Sequence, residues 1–446
     1  MFYRLRSVAQ NLISDLPGKL ILYYLLFVLA NQGLQFFISQ RIASTLGSKA
    51  VGLHYLLLSY VSTLLVVTTI GSSTAIIKYI SSPKSDQRLE SQYIINALLI
   101  SLLIAVLIYF IYPYLPTYII RLLFPNFVLK ILIQQANLYL VLYTVETVLV
   151  ASLIANKWYK ILASVATIRF IIIGCFLYEN KIDLIQLWQL MCLGSSVVIL
   201  LYIISLYSLF KNTFHRGFFS YSIVKKLLAD SWTYLFASLL VSPSLFFMNR
   251  IVSENSAGLA ALGVYTICKQ YANMNSMVVS QFSQSFFPVL NHQFHTNDVE
   301  GFEKLTQRGL ILGLAVVSAG AFFLSITGPI FIFSWYKWQI TPLAVFWYCL
   351  TIISSIVAFL NQYFGNLLVI IDRQQDRFWA DTILAFVLVI MCYLTINRWP
   401  NASPFVANFF SISIGGLCVW IAYQRRKHSF LTEFRAKMHT NPAVKS

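Results

Sequence analysis

Residues 40–80 read QRIASTLGSKAVGLHYLLLSYVSTLLVVTTIGSSTAIIKYI, and residues 249–290 read NRIVSENSAGLAALGVYTICKQYANMNSMVVSQFSQSFFPVL. In each stretch an Arg-Ile pair closes one apolar run, a short polar linker follows, and a glycine opens a second run. A shift of 211 from Gly52 to Gly263 superposes Tyr60 on Tyr271, Val67 on Val278 and Ser72 on Ser283. The same shift lays Ser59, Ser62, Thr69 and Ser73 onto Gln270, Asn273, Ser280 and Gln284, in steps of 3, 7 and 4 that keep to one helical face. The chain is therefore expected to be written twice. Each copy has two apolar helices, an arginine near the end of the first and a polar stripe down the second.

Working outward, 58% of the 446 residues are hydrophobic and only 11% charged, and the mean hydropathy is +0.73. Apolar runs of about 20 residues recur along the whole length, the spacing a bilayer demands of helices. Twelve spans are expected, at 20–43, 52–80, 92–113, 132–155, 161–178, 184–209, 231–252, 262–290, 309–334, 343–371, 379–396 and 404–424. The tails and even-numbered loops hold 21 of the 32 Lys and Arg residues, and the opposite loops hold six. By the positive-inside rule both termini are cytoplasmic. No cleavable signal peptide is visible, since residues 1–19 are polar and the run after Lys19 is too long for one. The expected fold is an all-α polytopic membrane protein, with about 12 transmembrane helices in two pseudo-symmetric six-helix bundles around a central cavity. The domains are 1–210 as the N-terminal bundle, 211–230 as a basic, amphipathic cytoplasmic linker on the inner leaflet, 231–424 as the C-terminal bundle and 425–446 as a basic tail.

The net charge of +17 does not point to nucleic acid, because the basic residues scatter over loops and form no basic domain. The six cysteines fall inside apolar runs without metal-like or CxxC spacing, which leaves them as small apolar residues. The HQFH pair, His292 and His295, is too slight a pattern for a metal site. With no phosphate loop, GxSxG or HExxH, no catalytic residue, metal or cofactor is expected.

Five basic residues lie within spans: Arg41, Lys78, Arg169, Arg250 and Lys269. A charge at membrane depth costs a few kcal/mol or more, so it faces a cavity, a partner or the headgroups. Lys78 sits where snorkelling competes with a cavity role. Arg41 and Arg250 hold matching places in the two repeats, which favours a shared cavity over snorkelling. Lys269 stands on the stripe through Asn273, Ser276, Ser280 and Ser283, which is expected to face inward. Glu146 lies 11 residues before Lys157, and Arg169 nine after Lys160, across the short turn NKWYK. At about 1.5 Å per residue both sit near the bilayer centre and at equal depth. Two readings stand: an ion pair that braces the hairpin, or a carboxylate whose protonation or ion binding couples to transport. Asn31, Gln32, Gln35 and Ser39 in the first span and Asn361, Gln362 and Asn366 in the tenth fit either a hydrated interior or helix-to-helix hydrogen bonds. Aromatic residues make up 16% of the chain, enough to supply interfacial belts and sugar-stacking surfaces alike.

LGSKAVGLHY after the first span, GSSTAIIKYIS closing the second, FFPVLNHQF closing the eighth and NQYFGNLLVIIDRQQDRFW at the tenth cytoplasmic loop together resemble one family. It is the polysaccharide-transporter branch of the multidrug/oligosaccharidyl-lipid/polysaccharide (MOP) flippase superfamily, and the chain looks most like Wzx-type translocases of O-antigen and common-antigen units. The resemblance covers nearly the whole length. It implies a flippase of the bacterial inner membrane, not an enzyme, working by alternating access around a cationic cavity. The implied cargo is an undecaprenyl-diphosphate-linked oligosaccharide, turned from the cytoplasmic to the periplasmic leaflet for lipopolysaccharide biosynthesis. Membrane lipids, a polysaccharide polymerase and a chain-length regulator are the implied partners. A diphosphate fits Arg and Lys in a hydrated cavity, so the substrate-binding candidates are Arg41, Lys78, Arg169, Arg250, Lys269 and Asn273, with Glu146 as the ion-coupling candidate. The alternatives are a lipid-linked peptidoglycan precursor flippase or a MATE-like exporter. A polymerase or ligase fits less well, for want of a long outer loop to carry catalytic residues.

Overall fold

The computed structural model describes residues 18–80, 87–125, 128–179, 182–211, 219–255, 258–295, 299–336, 342–371 and 373–440. Among these residues there is no strand. Fourteen α-helices follow one another: α1 (Gly18–Leu46), α2 (Ser48–Thr69), α3 (Ser72–Ile80), α4 (Gln87–Ile111), α5 (Thr117–Leu123), α6 (Lys130–Ala155), α7 (Tyr159–Glu179), α8 (Leu184–Lys211), α9 (Tyr221–Glu254), α10 (Gly258–His295), α11 (Val299–Tyr336), α12 (Pro342–Ile370), α13 (Gln374–Ile396) and α14 (Ser403–Thr440). Helices this apolar form because lipid offers no partner to backbone N–H and C=O groups, which must then bond within each segment. Twelve of them run from 21 to 38 residues. Even the shortest spans about 31 Å at 1.5 Å per residue, the thickness of a bilayer core. They fall one for one on the twelve expected spans. Nine qualify as membrane spans on length and apolar composition among the described residues. The other three, α1, α9 and α10, are 29, 34 and 38 residues long.

The expected span 52–80 is two helices rather than one. Ile70 (φ 47°) and Gly71 (φ 68°) take left-handed backbone between α2 and α3. Glycine adopts that conformation freely, so the break sits on it. The equivalent Gln281 and Phe282 bring no glycine, and α10 runs through unbroken.

Residues group into two compact units. Unit 1 comprises Met1–Leu46 and Leu56–Leu239; unit 2 comprises Gly47–Tyr55 and Leu240–Ser446. Both are packed to one plan. In unit 1, α6 lies against α8, α4 and α3, and α7 against α8. In unit 2, α12 lies against α14, α11 and α10, and α13 against α14. The core of unit 1 gathers Ile76, Ile94, Leu149, Leu153, Leu162 and Leu206. Of the expected linker at 211–230, residues 212–218 lie outside the described residues. From Tyr221 the segment forms the first turns of α9. There Ile223, Val224 and Leu227 are buried in unit 1, and the Ser220 N–H donates to Asn96 Oδ1 at 3.1 Å. Lys226 Nζ stands 4.6 Å from the centre of the Tyr79 ring.

Candidate functional site

The turn between α6 and α7 fixes the position of the deepest charges. Lys157 takes a left-handed φ of 59°, and the Trp158 N–H donates back to the Leu153 carbonyl at 2.9 Å, closing α6 as a left-handed cap does. So tight a hairpin brings Glu146 and Arg169 level, and their side chains meet. Arg169 Nη1 donates to Glu146 Oε1 at 2.7 Å, with side-chain exposures of 7% and 9%. Arg169 Nη2 donates to Ser195 Oγ of α8 at 3.2 Å and to the Tyr139 hydroxyl of α6 at 3.4 Å. The Tyr139 ring stands edge-on to Trp188 and stacks on Tyr143. Gly194 leaves space here, since a Cβ on it would crowd Ile173 and approach Arg169 Nε. Among the described residues Glu146 Oε2 and Arg169 Nε are buried without a hydrogen-bond partner. A buried pair stays charged only when geometry and extra hydrogen bonds offset desolvation. Here the guanidinium donates to three side chains, and one oxygen of the carboxylate has no hydrogen-bond partner among the described residues.

Unit 2 places its cation differently. Lys269, on α10, is half-buried, with Nζ 5.4 Å from the centre of the Tyr265 ring and Tyr55 as a second phenol beside it. Tyr265 stands at 90° to Phe405, which stacks on Trp347. No carboxylate among the described residues pairs with Lys269. Asn273 is exposed one turn further on, and Gln270 is half-buried. The side chains of Ser280, Ser283 and Gln284 lie outside the described residues, as do those of Lys78, His292 and His295.

Arg41 and Arg250, matched in the sequence, meet unlike partners. Arg41 Nε donates to the Leu177 carbonyl at 2.8 Å, and Nη2 to the Tyr178 carbonyl at 3.1 Å. It thereby caps the C-terminus of α7, where carbonyls lack helical partners and the helix dipole favours a cation. Arg250 Nη2 donates to Glu254 Oε1 one turn away, at 2.9 Å. Asn31 bonds the Phe27 carbonyl of its own helix, and Asn366 Oδ1 accepts from Arg377 Nη1 at 3.2 Å.

Several polar groups lay beyond the reach of the sequence. Asn275 Nδ2 donates to Ser355 Oγ at 2.8 Å and to the Val317 carbonyl at 3.2 Å, tying α10 to α12 and α11. Asn249 beside Arg250 is 1% exposed, and neither amide atom has a hydrogen-bond partner among the described residues. At the α12–α13 turn, Arg377 approaches Asp381, Arg426 pairs with Asp376, and Lys427 pairs with Glu303. The last two pairs join residues far apart in the chain, and no local spacing announces them.

A family described as polysaccharide biosynthesis protein matches residues 18–293. No curated protein matches this chain. The solved structures it resembles are transporters. An inward-facing multidrug resistance MATE family transporter of the MOP superfamily aligns with a TM-score of 0.71 at 15% identity, over 89% of this chain and 96% of that one. An outward-facing MATE transporter of the same superfamily aligns at 0.65 and 14%, over 93% and 97%. A MOP superfamily transporter from Pyrococcus furiosus, for which reverse polarity of the binding pocket suggests a different function, aligns at 0.64 and 14%, over 92% and 97%. At such identities the likeness fixes the fold, which is that of the MATE transporters, while the sequence match fixes the family. The chain belongs to the polysaccharide biosynthesis protein family, and it is a multi-pass membrane protein with the fold of the MATE transporters of the MOP superfamily.

Proposed function

We propose that this protein is a flippase that moves a polyprenyl-diphosphate-linked oligosaccharide, such as an O-antigen repeat unit, from the cytoplasmic to the periplasmic leaflet of the inner membrane by alternating access. The observation that carries this reading is Lys269. It is a cation within a membrane helix, beside two phenols, with no carboxylate partner among the described residues. A cation held so is stabilised by an anion arriving with the cargo, and a diphosphate is such an anion. Tyr55, half-buried beside Lys269, suits a sugar ring, while Tyr265 is fully buried against Phe405. An organic-cation exporter would set a carboxylate there instead, so the MATE-like alternative is disfavoured. The reverse pocket polarity of the Pyrococcus furiosus relative is a precedent for such a change of cargo within the fold.

In this reading Arg250, Asn273 and Lys78 contact the headgroup during transport, the bundles are 1–210 and 231–424, and the termini and the tail at 425–446 lie in the cytoplasm. Arg41 contributes by holding the end of α7. Arg169 stays neutralised by Glu146 until the free Glu146 oxygen takes up a proton or cation, which couples transport to an ion gradient. A polymerase and its chain-length regulator would consume the product outside.

The test is twofold. Deleting the gene and identifying the accumulated lipid-linked glycan fixes the cargo, and a peptidoglycan precursor there would favour the second flippase reading. In complemented cells, Lys269→Ala is expected to cut surface-glycan export at least tenfold with unchanged protein level. Arg250→Lys is expected to restore part of what Arg250→Ala loses, because the bidentate contact goes while the charge stays. Wild-type export by Lys269→Ala would sink the phosphate assignment.

A further inference from the structure

Ion pairing at one end of unit 2 is nearly complete, and what it leaves over is mostly of one sign. There Arg426 pairs with Asp376, Lys427 pairs with Glu303, and Arg377 approaches Asp381 while donating to Asn366. These contacts hold the first turns of α11 and α13 against α14 around Arg426 and Lys427. Beside them stand Lys304, Arg308, Arg373 and Arg425, all exposed and without an ion pair among the described residues. Glu300 is the one carboxylate left over at this end among the described residues.

The leftover cations crown exposed apolar stripes. On α11, Lys304 and Arg308 share a helical face with Ile311, Phe322 and Ile326, and on α14, Leu417, Ile421 and Arg425 follow in steps of four. On α13 the exposed stripe is Trp379, Ile383, Phe386, Ile390 and Tyr393, and Arg373 stands in the turn before it. Large apolar side chains so exposed face lipid in a membrane protein. Trp379 and Trp399, both exposed, lie 20 residues apart, about 30 Å along a helix and the thickness of a hydrocarbon core. Tryptophan gathers at the two membrane–water boundaries. Arg373, six residues before Trp379 and so about 9 Å beyond it, stands within reach of the headgroup layer.

We propose that this rim of unit 2 binds the headgroup phosphate of an anionic phospholipid in the leaflet it meets. Arg373 and Arg425 hold the phosphate from α13 and α14, and Lys304 and Arg308 serve the α11 side. Guanidinium forks match phosphate oxygens, and a basic cluster beside a bilayer attracts anionic lipid. A zwitterionic lipid offers the same phosphate but carries its own cation, so the rim discriminates by charge. A basic face that served solubility alone would need no register with the apolar stripes below it. The inference stands apart from the transported cargo, since Lys269 is on α10, which carries none of these four residues.

The test gives the full-length protein, in a neutral detergent, an equimolar mixture of phosphatidylglycerol and phosphatidylcholine with the same acyl chains. Native mass spectrometry then counts the lipids retained. Phosphatidylglycerol is expected to be kept at least fivefold over phosphatidylcholine, with the preference shrinking in high salt as exposed charge is screened. Arg373→Gln with Arg425→Gln should lower the preference at least twofold, and adding Lys304→Gln and Arg308→Gln should abolish it. Arg398→Gln, which removes an exposed cation at the other end of α13, should leave it unchanged. Equal retention by the unaltered protein, or a preference that survives all four substitutions, would overturn the proposal. So would loss of the preference on adding millimolar inorganic phosphate, which marks a site for free anions. If the variants fail to accumulate, the unaltered protein decides by fluorescence. Brominated phosphatidylglycerol should quench the emission that Trp379→Phe removes at least twice as strongly as brominated phosphatidylcholine, and equal quenching would overturn the proposal.

Discussion

Unit 1 and unit 2 share a packing plan and a partly duplicated sequence, yet they distribute charge in opposite ways. Unit 1 keeps a complete ion pair inside its core, with Arg169 held by Glu146, Ser195 and Tyr139. Under the 211 shift Glu146 falls on Val357, so the equivalent place in unit 2 is apolar. Unit 2 instead ties its core with the neutral amide of Asn275, and its ion pairs among the described residues, Arg250–Glu254 on α9 and those of Arg377, Arg426 and Lys427, have side chains 17–45% exposed. Its one deep cation, Lys269, has rings for neighbours and no counter-charge among the described residues. Stability does not require a buried charge in this architecture, since unit 2 packs without the pair. The charges that unit 1 does bury are therefore the place to look for work beyond packing.

The strongest way to break this comparison is to remove half of the buried pair. Glu146→Gln leaves the Arg169 guanidinium unpaired in a low dielectric, and a loss of about 3–5 kcal/mol is expected, read as a lower melting temperature and poor accumulation. Glu146→Gln with Arg169→Gln is expected to recover most of that stability. If the recovered double variant exports at the wild-type rate, the pair is a brace only; if it folds and stays inactive, Glu146 takes part in coupling.

A smaller effect tests whether neutral bonding in unit 2 truly replaces charge. Asn275→Ala removes the donor to Ser355 Oγ and the Val317 carbonyl and is expected to cost about 1–2 kcal/mol, in the range of interhelical hydrogen bonds in membranes. A double-mutant cycle with Ser355→Ala should show coupling of roughly 1 kcal/mol. Zero coupling would mean that unit 2 is held by apolar packing alone.

The smallest effect sharpens the contrast between core and edge. Arg426→Ala breaks a pair with Asp376 whose side chains are 44% and 24% exposed, and less than about 1 kcal/mol is expected, vanishing at high salt. A larger, salt-insensitive loss would show that the α12–α13 turn is as closed to water as the core of unit 1.

How much of this could be read from the chain depended on sequence distance. The Glu146–Arg169 pair was legible because a short turn, three residues between Ala155 and Tyr159, joins its helices, and counting rises from that turn gives both depths. The break at Ile70 and Gly71 was not, since an isolated glycine in an apolar run is tolerated as often as it bends a helix. Arg41 and Arg250 looked alike because both follow an apolar run and precede Ile. Their fates differ because Arg41 reaches carbonyls 136 residues away while Arg250 finds Glu254 on its own helix. Lys427 and Glu303, on α14 and α11, gave no signal at all.

Sequence alone determined the helical class, the twelve long helices, the duplication and the level of the deepest charges. Those follow from composition, from period and from the fixed rise of a helix, all local properties. Tertiary structure decided which cations meet a carboxylate and which, among the described residues, do not. It also decided that the first turns of α2 lie with unit 2, and that Gly52 and Gly263 press on each other's helices. These outcomes depend on which helices touch, and a contact between helices depends on both faces and on everything packed behind them, which no single stretch of chain contains.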